Sequence, residues 1–212
     1  MGSNQYIKYI EAGLSISPSK RQFRKIALGP FLLVLLMGVI PCVVLGGYWL
    51  ILLSIMLVTS IAMTLLTFIF SSKSLTTMNQ LIIQSLIYSN WFFQIVMLQT
   101  MFYLIVYGVN FKLILIYMPP LITPLVLGLR NAKYLRLGYL VPKKRTPSFV
   151  LSFAWSGIIG ICLAKSFFQQ LTNETAMVFV MMSFTFLSCV FSIGLLSYQR
   201  IYYLKKHAVL SD

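Results

Sequence analysis

From Ile26 to Ser72 no residue carries a charge, and the only pause in the apolar run is Gly46-Gly47. A membrane-spanning helix needs about 20 consecutive apolar residues, so this stretch is long enough for two, joined by a turn rather than a loop. Inside a bilayer every backbone N–H and C=O must find a partner within the protein, which restricts spanning segments to helices or closed barrels. Apolar runs this long are helices. The remainder of the chain agrees: 59% of its residues are hydrophobic and 9% charged, where soluble domains carry about 25% charged residues. Too few charges are available to cover a globule in water. A soluble enzyme, a disordered chain and a secreted disulfide-stapled mini-protein are excluded on that ground.

The 212 residues leave room for six spans and little else. We read them over 26–47, 48–70, 86–107, 113–129, 148–168 and 176–198. The expected fold is an all-α integral membrane protein, a six-helix transmembrane bundle. Residues 1–25 form a segment with no short apolar core or cleavage site of the signal-peptide kind. Within it, Ile7, Ile10 and Leu14, with Tyr6 beside them, place an apolar stripe on one face of a short helix. Such a stripe predicts an N-terminal amphipathic interfacial helix lying in the headgroup plane. Ser17-Pro18 reads as the cap and first residue of the next helix. Residues 199–212 form a basic tail.

Of the 20 charged side chains, 17 are Lys or Arg and three are acidic, and their positions orient the spans. With the N-terminus inside, fifteen basic residues fall in inner segments, and two, Lys112 and Lys165, in outer ones. That asymmetry is the positive-inside signature, so both termini are expected in the cytoplasm of what we read as a bacterial cell membrane. It also explains the net charge of +14 without nucleic acid. A re-entrant fourth span would invert the bias by placing the basic stretch 130–147 outside. The fourth span is therefore expected to cross, kinked or partly unwound.

Several chemistries are missing. The only carboxylate side chains are Glu11, Glu174 and Asp212, and the only histidine is His207; none falls inside a span. General acid–base catalysis and proton-coupled transport both need titratable groups at the reacting centre. Cys42, Cys162 and Cys189 lie in apolar runs without metal-ligand spacing. Ala154-Trp155-Ser156-Gly157 resembles, over four residues, the serine motif of rhomboid intramembrane proteases. That family needs a histidine on a later span, which 176–198 does not contain, and a serine without a base is a poor nucleophile. No catalytic residue, metal or cofactor is expected, and the chain is not read as an enzyme.

What remains is polar punctuation within the spans. Asn90 and Gln94 lie one turn apart on the third span. Amides in hydrocarbon demand partners, either across to neighbouring helices or lining a cavity. Pro119, Pro120 and Pro124 crowd the fourth span. Each lacks a donor and clashes one turn back, so carbonyls near 115–120 need other donors, with Thr123, Asn90 and Gln94 as candidates. Broken helices of this kind build transporter sites at mid-membrane but also occur as plain kinks. Ser156, Gly160 and Ala164 form a small-residue stripe suited to close helix packing, and Ser188 and Ser192 a second one. Lys165 sits close enough to the outer end to reach headgroups. Asn173-Glu174-Thr175 matches a glycosylation sequon in an outer loop only seven residues long, too close to the membrane to be treated as more than chance.

The expected function follows by elimination: a non-catalytic membrane protein acting through lateral contacts with another membrane protein or with its own copies, as accessory, assembly and toxin-immunity subunits do. Its cytoplasmic cations would meet anionic lipid. The alternative is a permease or carrier component for a small neutral or anionic solute, built on the proline-rich fourth span.

Overall fold

The computed structural model describes residues 6–10, 19–73, 76–109, 112–137 and 173–208. Among these the regular structure is entirely helical. A short helical stretch over residues 6–10 (α1) is followed by α2 (Lys20–Met37), α3 (Val39–Leu45), α4 (Tyr48–Ser72), α5 (Thr77–Tyr107), α6 (Lys112–Leu137), α7 (Asn173–Gly194) and α8 (Leu196–Ala208). Four helical segments among the described residues are long and apolar enough to cross a membrane: Lys20–Leu45, Tyr48–Ser72, Thr77–Tyr107 and Met181–Lys206. The expected fifth span, 148–168, and its stripe of Ser156, Gly160 and Ala164 lie outside the described residues.

Helix boundaries depart from the hydropathy reading in a consistent way. The first span begins at Lys20, where Ser19 accepts from Gln22 N and Gln22 Oε1 accepts from Ser19 N. This reciprocal capping box, about two turns before the apolar run, sets the start of the helix in place of Ser17-Pro18. The helix breaks at Gly38, between α2 and α3. Pro41 lies three residues further on; its ring has no hydrogen to give Met37 O and crowds that carbonyl, so the ladder resets there. α5 starts at Thr77, capped by Thr76, rather than at 86. α6 runs through its three prolines without interruption and continues to Leu137, so 130–137 is helix and not loop. Polar turns extend these helices past their apolar stretches, where hydropathy no longer reports them.

The bundle is assembled around α5, which packs against α2, α4, α6, α7 and α8. Phe23 and Ala27 of α2 meet Ile83 and Ile87, while Val34 and Cys42 meet Ile95, Leu98 and Met101 further along. The two segments therefore run in parallel. α4 returns antiparallel through the Gly46-Gly47 turn, where both glycines have positive φ (64° and 55°), a conformation open to residues without a Cβ. Against α5, Gln99 pairs with Thr185 and Ser188 and Ser89 pairs with Tyr198, so α7 and α8 run antiparallel to it.

One end of the bundle collects the charges. Lys20 Nζ donates to Ser72 O (3.4 Å) and Arg24 Nε to Ser71 Oγ (3.2 Å), joining the start of α2 to the end of α4. At the same end, α1 docks on α6 and α8. The Tyr9 hydroxyl donates to Gln199 Oε1 (3.2 Å) and accepts from Asn131 Nδ2 (3.3 Å), and the Arg200 guanidinium lies 5.2 Å from the Tyr9 ring centre. Tyr9 and Ile10 are buried, while Ile7 is exposed. The stripe expected to lie on lipid is thus divided between the bundle and its surroundings; Leu14 lies outside the described residues.

Candidate functional site: buried amides on the central helix

α5 makes at least one side-chain hydrogen bond to each of α4, α6, α7 and α8. Asn90, Gln94 and Gln99 are all buried. Gln94 Nε2 donates to Thr59 Oγ1 of α4 (3.1 Å) and to Asn90 Oδ1 (3.3 Å), and Asn90 Nδ2 reaches Ser60 O at 3.5 Å. On another face Gln99 Nε2 donates to Thr185 Oγ1 (2.6 Å), and its Oε1 accepts from Ser188 Oγ (3.3 Å). Thr100 and Tyr117 hydroxyls join α5 to α6, and Ser89 and Tyr198 hydroxyls (2.9 Å) join it to α8. A buried amide is costly without partners, and Asn90, Gln94 and Gln99 each tie α5 to one neighbour, which sets its rotation about its own axis.

A cleft of about 310 Å³ lies beside the Asn90–Gln94 pair, lined by Thr59, Met63, Ser89, Asn90, Phe92, Phe93 and Leu195. Its walls are chiefly apolar. Next to it, Gln94 Oε1 and Ser60 Oγ are buried without a hydrogen-bond partner.

The proline stretch is elsewhere. Pro119 is exposed, Pro120 buried and Pro124 partly exposed, and none of them lines the cleft. Thr123 Oγ1 donates to Pro119 O (2.7 Å), the ordinary bond of a helical threonine to the carbonyl one turn back; that carbonyl keeps Thr123 N as its backbone donor and is not one the prolines deprive. Asn90 and Gln94 serve α4 instead of the proline carbonyls. The predicted site residues therefore form two separate groups: Asn90 with Gln94 between α4 and α5, and Pro119, Pro120, Thr123 and Pro124 along α6.

Reading the sequence missed two groupings. Gln99 is as polar as Gln94 and stands in the same run, but its partners, Thr185 and Ser188, lie far along the chain. Ser188 and Ser192 are buried, and Ser188 meets α5. The Tyr9–Asn131–Gln199 junction likewise joins three distant segments, and Tyr9 was not part of the expected stripe of Ile7, Ile10 and Leu14.

No protein-family model, curated protein or solved structure matches the chain.

Proposed function

We propose that the protein is a non-catalytic multi-pass membrane subunit that acts through lateral contacts with another membrane protein, of the accessory, assembly or toxin-immunity type. We place both termini in the cytoplasm of a bacterial cell membrane and read the complete bundle as six spans. The observation that supports this function best is the separation of the polar groups. The amides of α5 fasten it to α4 and α7, and among the described residues the proline stretch of α6 does not line the cleft beside Asn90. A carrier built on the fourth span needs the two together at mid-depth. Meanwhile the outer faces offer long apolar stripes, among them Ile51, Ile55, Val58 and Leu65 on α4, all exposed. The orientation is supported by the clustering of cations: apart from Lys112, the described Lys and Arg lie at the end shared by Lys20, Ser72 and Arg200.

Extraction in mild detergent followed by affinity capture and mass spectrometry tests the reading. One membrane protein recovered in stoichiometric amount is the expected result. The alternative, a carrier component for a small neutral or anionic solute, is favoured by the cleft beside Asn90. Solute flux into liposomes holding only the purified chain, abolished by Pro120→Ala, would overturn the subunit reading.

A further inference from the structure

α6 continues past its apolar stretch for two helical turns, and those turns carry Arg130, Lys133 and Arg136. Met118, Ile122, Leu125 and Leu129 follow one another at helical spacing, and all four are exposed. The next positions on that stripe are Lys133 and Arg136, also exposed. The opposite side is anchored, since Leu135 is buried. Around the two cations is an open, chiefly apolar depression of about 270 Å³, lined by Leu129, Ala132, Lys133, Arg136 and Leu137 of α6. From Met118 to Leu129 the apolar stripe rises roughly 16 Å, close to the ~15 Å of one leaflet's hydrocarbon.

Three of the other cations at this end have partners inside the bundle. Lys20 and Arg24 bond to the end of α4, and Arg200 lies over Tyr9. Lys133 and Arg136 point out of the bundle, in a chain with 17 basic residues and only three acidic ones. A guanidinium and an ammonium one turn apart match a phosphate, the first through its planar fork and the second as a point charge. An apolar stripe of one-leaflet length leading up to them matches an acyl chain. Basic pockets at the cytoplasmic ends of spanning helices hold anionic headgroups in this way.

We propose that Lys133 and Arg136 bind the phosphate of an anionic phospholipid whose acyl chain lies along Met118, Ile122, Leu125 and Leu129. The site rests on the membrane placement given above and is independent of whether the chain has a protein partner.

The test uses the full chain in nanodiscs of phosphatidylcholine containing a minor fraction of phosphatidylglycerol. Lipid retained after extraction into neutral detergent is counted by native mass spectrometry. Wild type is expected to retain phosphatidylglycerol over phosphatidylcholine. Lys133→Gln with Arg136→Gln should lower that preference about tenfold, since each cation near an anionic surface contributes severalfold to binding. Lys205→Gln with Lys206→Gln, at the same end but outside the depression, should leave it unchanged, and Lys133→Arg should retain it. Both target side chains are exposed, so the glutamine variants keep the packed face. Equal loss from the two double variants would overturn the proposal by making the effect a general charge collar. So would unchanged retention in the Lys133/Arg136 variant, or displacement of the lipid by soluble inorganic phosphate. None of these results bears on partner capture, so the subunit reading stands or falls separately.

Discussion

Gln99 of α5 reaches across to α7 with both ends of its amide, donating to Thr185 Oγ1 at 2.6 Å and accepting from Ser188 Oγ at 3.3 Å. It is fully buried, and both its donor and its acceptor are engaged across the α5–α7 interface. Its partners are not wholly dependent on it, because Thr185 also bonds Met181 O and Ser188 also bonds Phe184 O within α7. Gln99→Ala should therefore cost about 1 kcal/mol, within the range measured for interhelical hydrogen bonds in membranes. Gln99→Leu, which refills the space and removes the polar group, should cost less. Reversible unfolding in mixed detergent micelles gives both values.

Gly194, the last residue of α7, lies against Tyr88 of α5. A Cβ built there would fall 2.6 Å from Tyr88 Cβ, an atom that cannot move without the α5 backbone. Gly194→Ala is expected to destabilise by about 1–3 kcal/mol through overpacking. Gly128 is the control, since the nearest atom to its added Cβ is Leu196 Cδ2 at 3.6 Å. Gly128→Ala should be neutral or stabilising by roughly 0.5–1 kcal/mol, the usual helix preference of Ala over Gly. A loss at Gly194 with none at Gly128 is the expected outcome in thermal unfolding, and equal effects would contradict the close approach of α5 and α7.

The contact between Gln94 and Thr59 is open to a double-mutant cycle. With Gln94→Ala, Thr59→Ala and the combined variant, a coupling of about 0.6 kcal/mol is expected. Thr59 Oγ1 also bonds Ile55 O and Met56 O, so Thr59→Ala alone should be mild. A coupling of zero would show that the amide does not hold α4.

Tyr9 gives a prediction in pH. Burial pushes its phenol pKa above the ordinary 10.0, and the neighbouring Arg200 charge and the Asn131 hydrogen bond offset this only in part. The folded protein thus holds the Tyr9 proton more tightly than the unfolded chain does. Its contribution is complete below the unfolded value and declines as pH rises from there through the folded value. Tyr9→Phe should cost about 1 kcal/mol at neutral pH, and its deficit against wild type should shrink once the pH passes about 10. Parallel melts of the two proteins across that window measure it; a deficit that does not vary with pH would place Tyr9 in water.

Pattern alone was sufficient for the helical class and for locating the first two helices long and apolar enough to cross a membrane. Those properties depend on the sum of many side chains of one kind, and a charge-free run such as Ile26–Ser72 has no other stable form in lipid. Segment ends were harder to read. Thr77–Ser85 and Arg130–Leu137 are helical although polar, because beyond the hydrocarbon a helix is held by caps and neighbours rather than by apolar content. The proline stretch predicted a disturbance, yet α6 passes through it unbroken.

The pairing of polar groups was decided only by folding in three dimensions. Asn90, Gln94 and Gln99 look equivalent along the chain, and each had to find a partner somewhere. That Gln94 meets Thr59 and Gln99 meets Thr185 depends on how α4 and α7 are rotated against α5. Those rotations come from shape, including the bare surface of Gly194 under Tyr88. Hydropathy is a property of residues one at a time, whereas a hydrogen bond between helices is a property of two backbones at a particular distance and angle. The division of the predicted site into a buried amide pair and a separate proline-bearing helix is of the second kind.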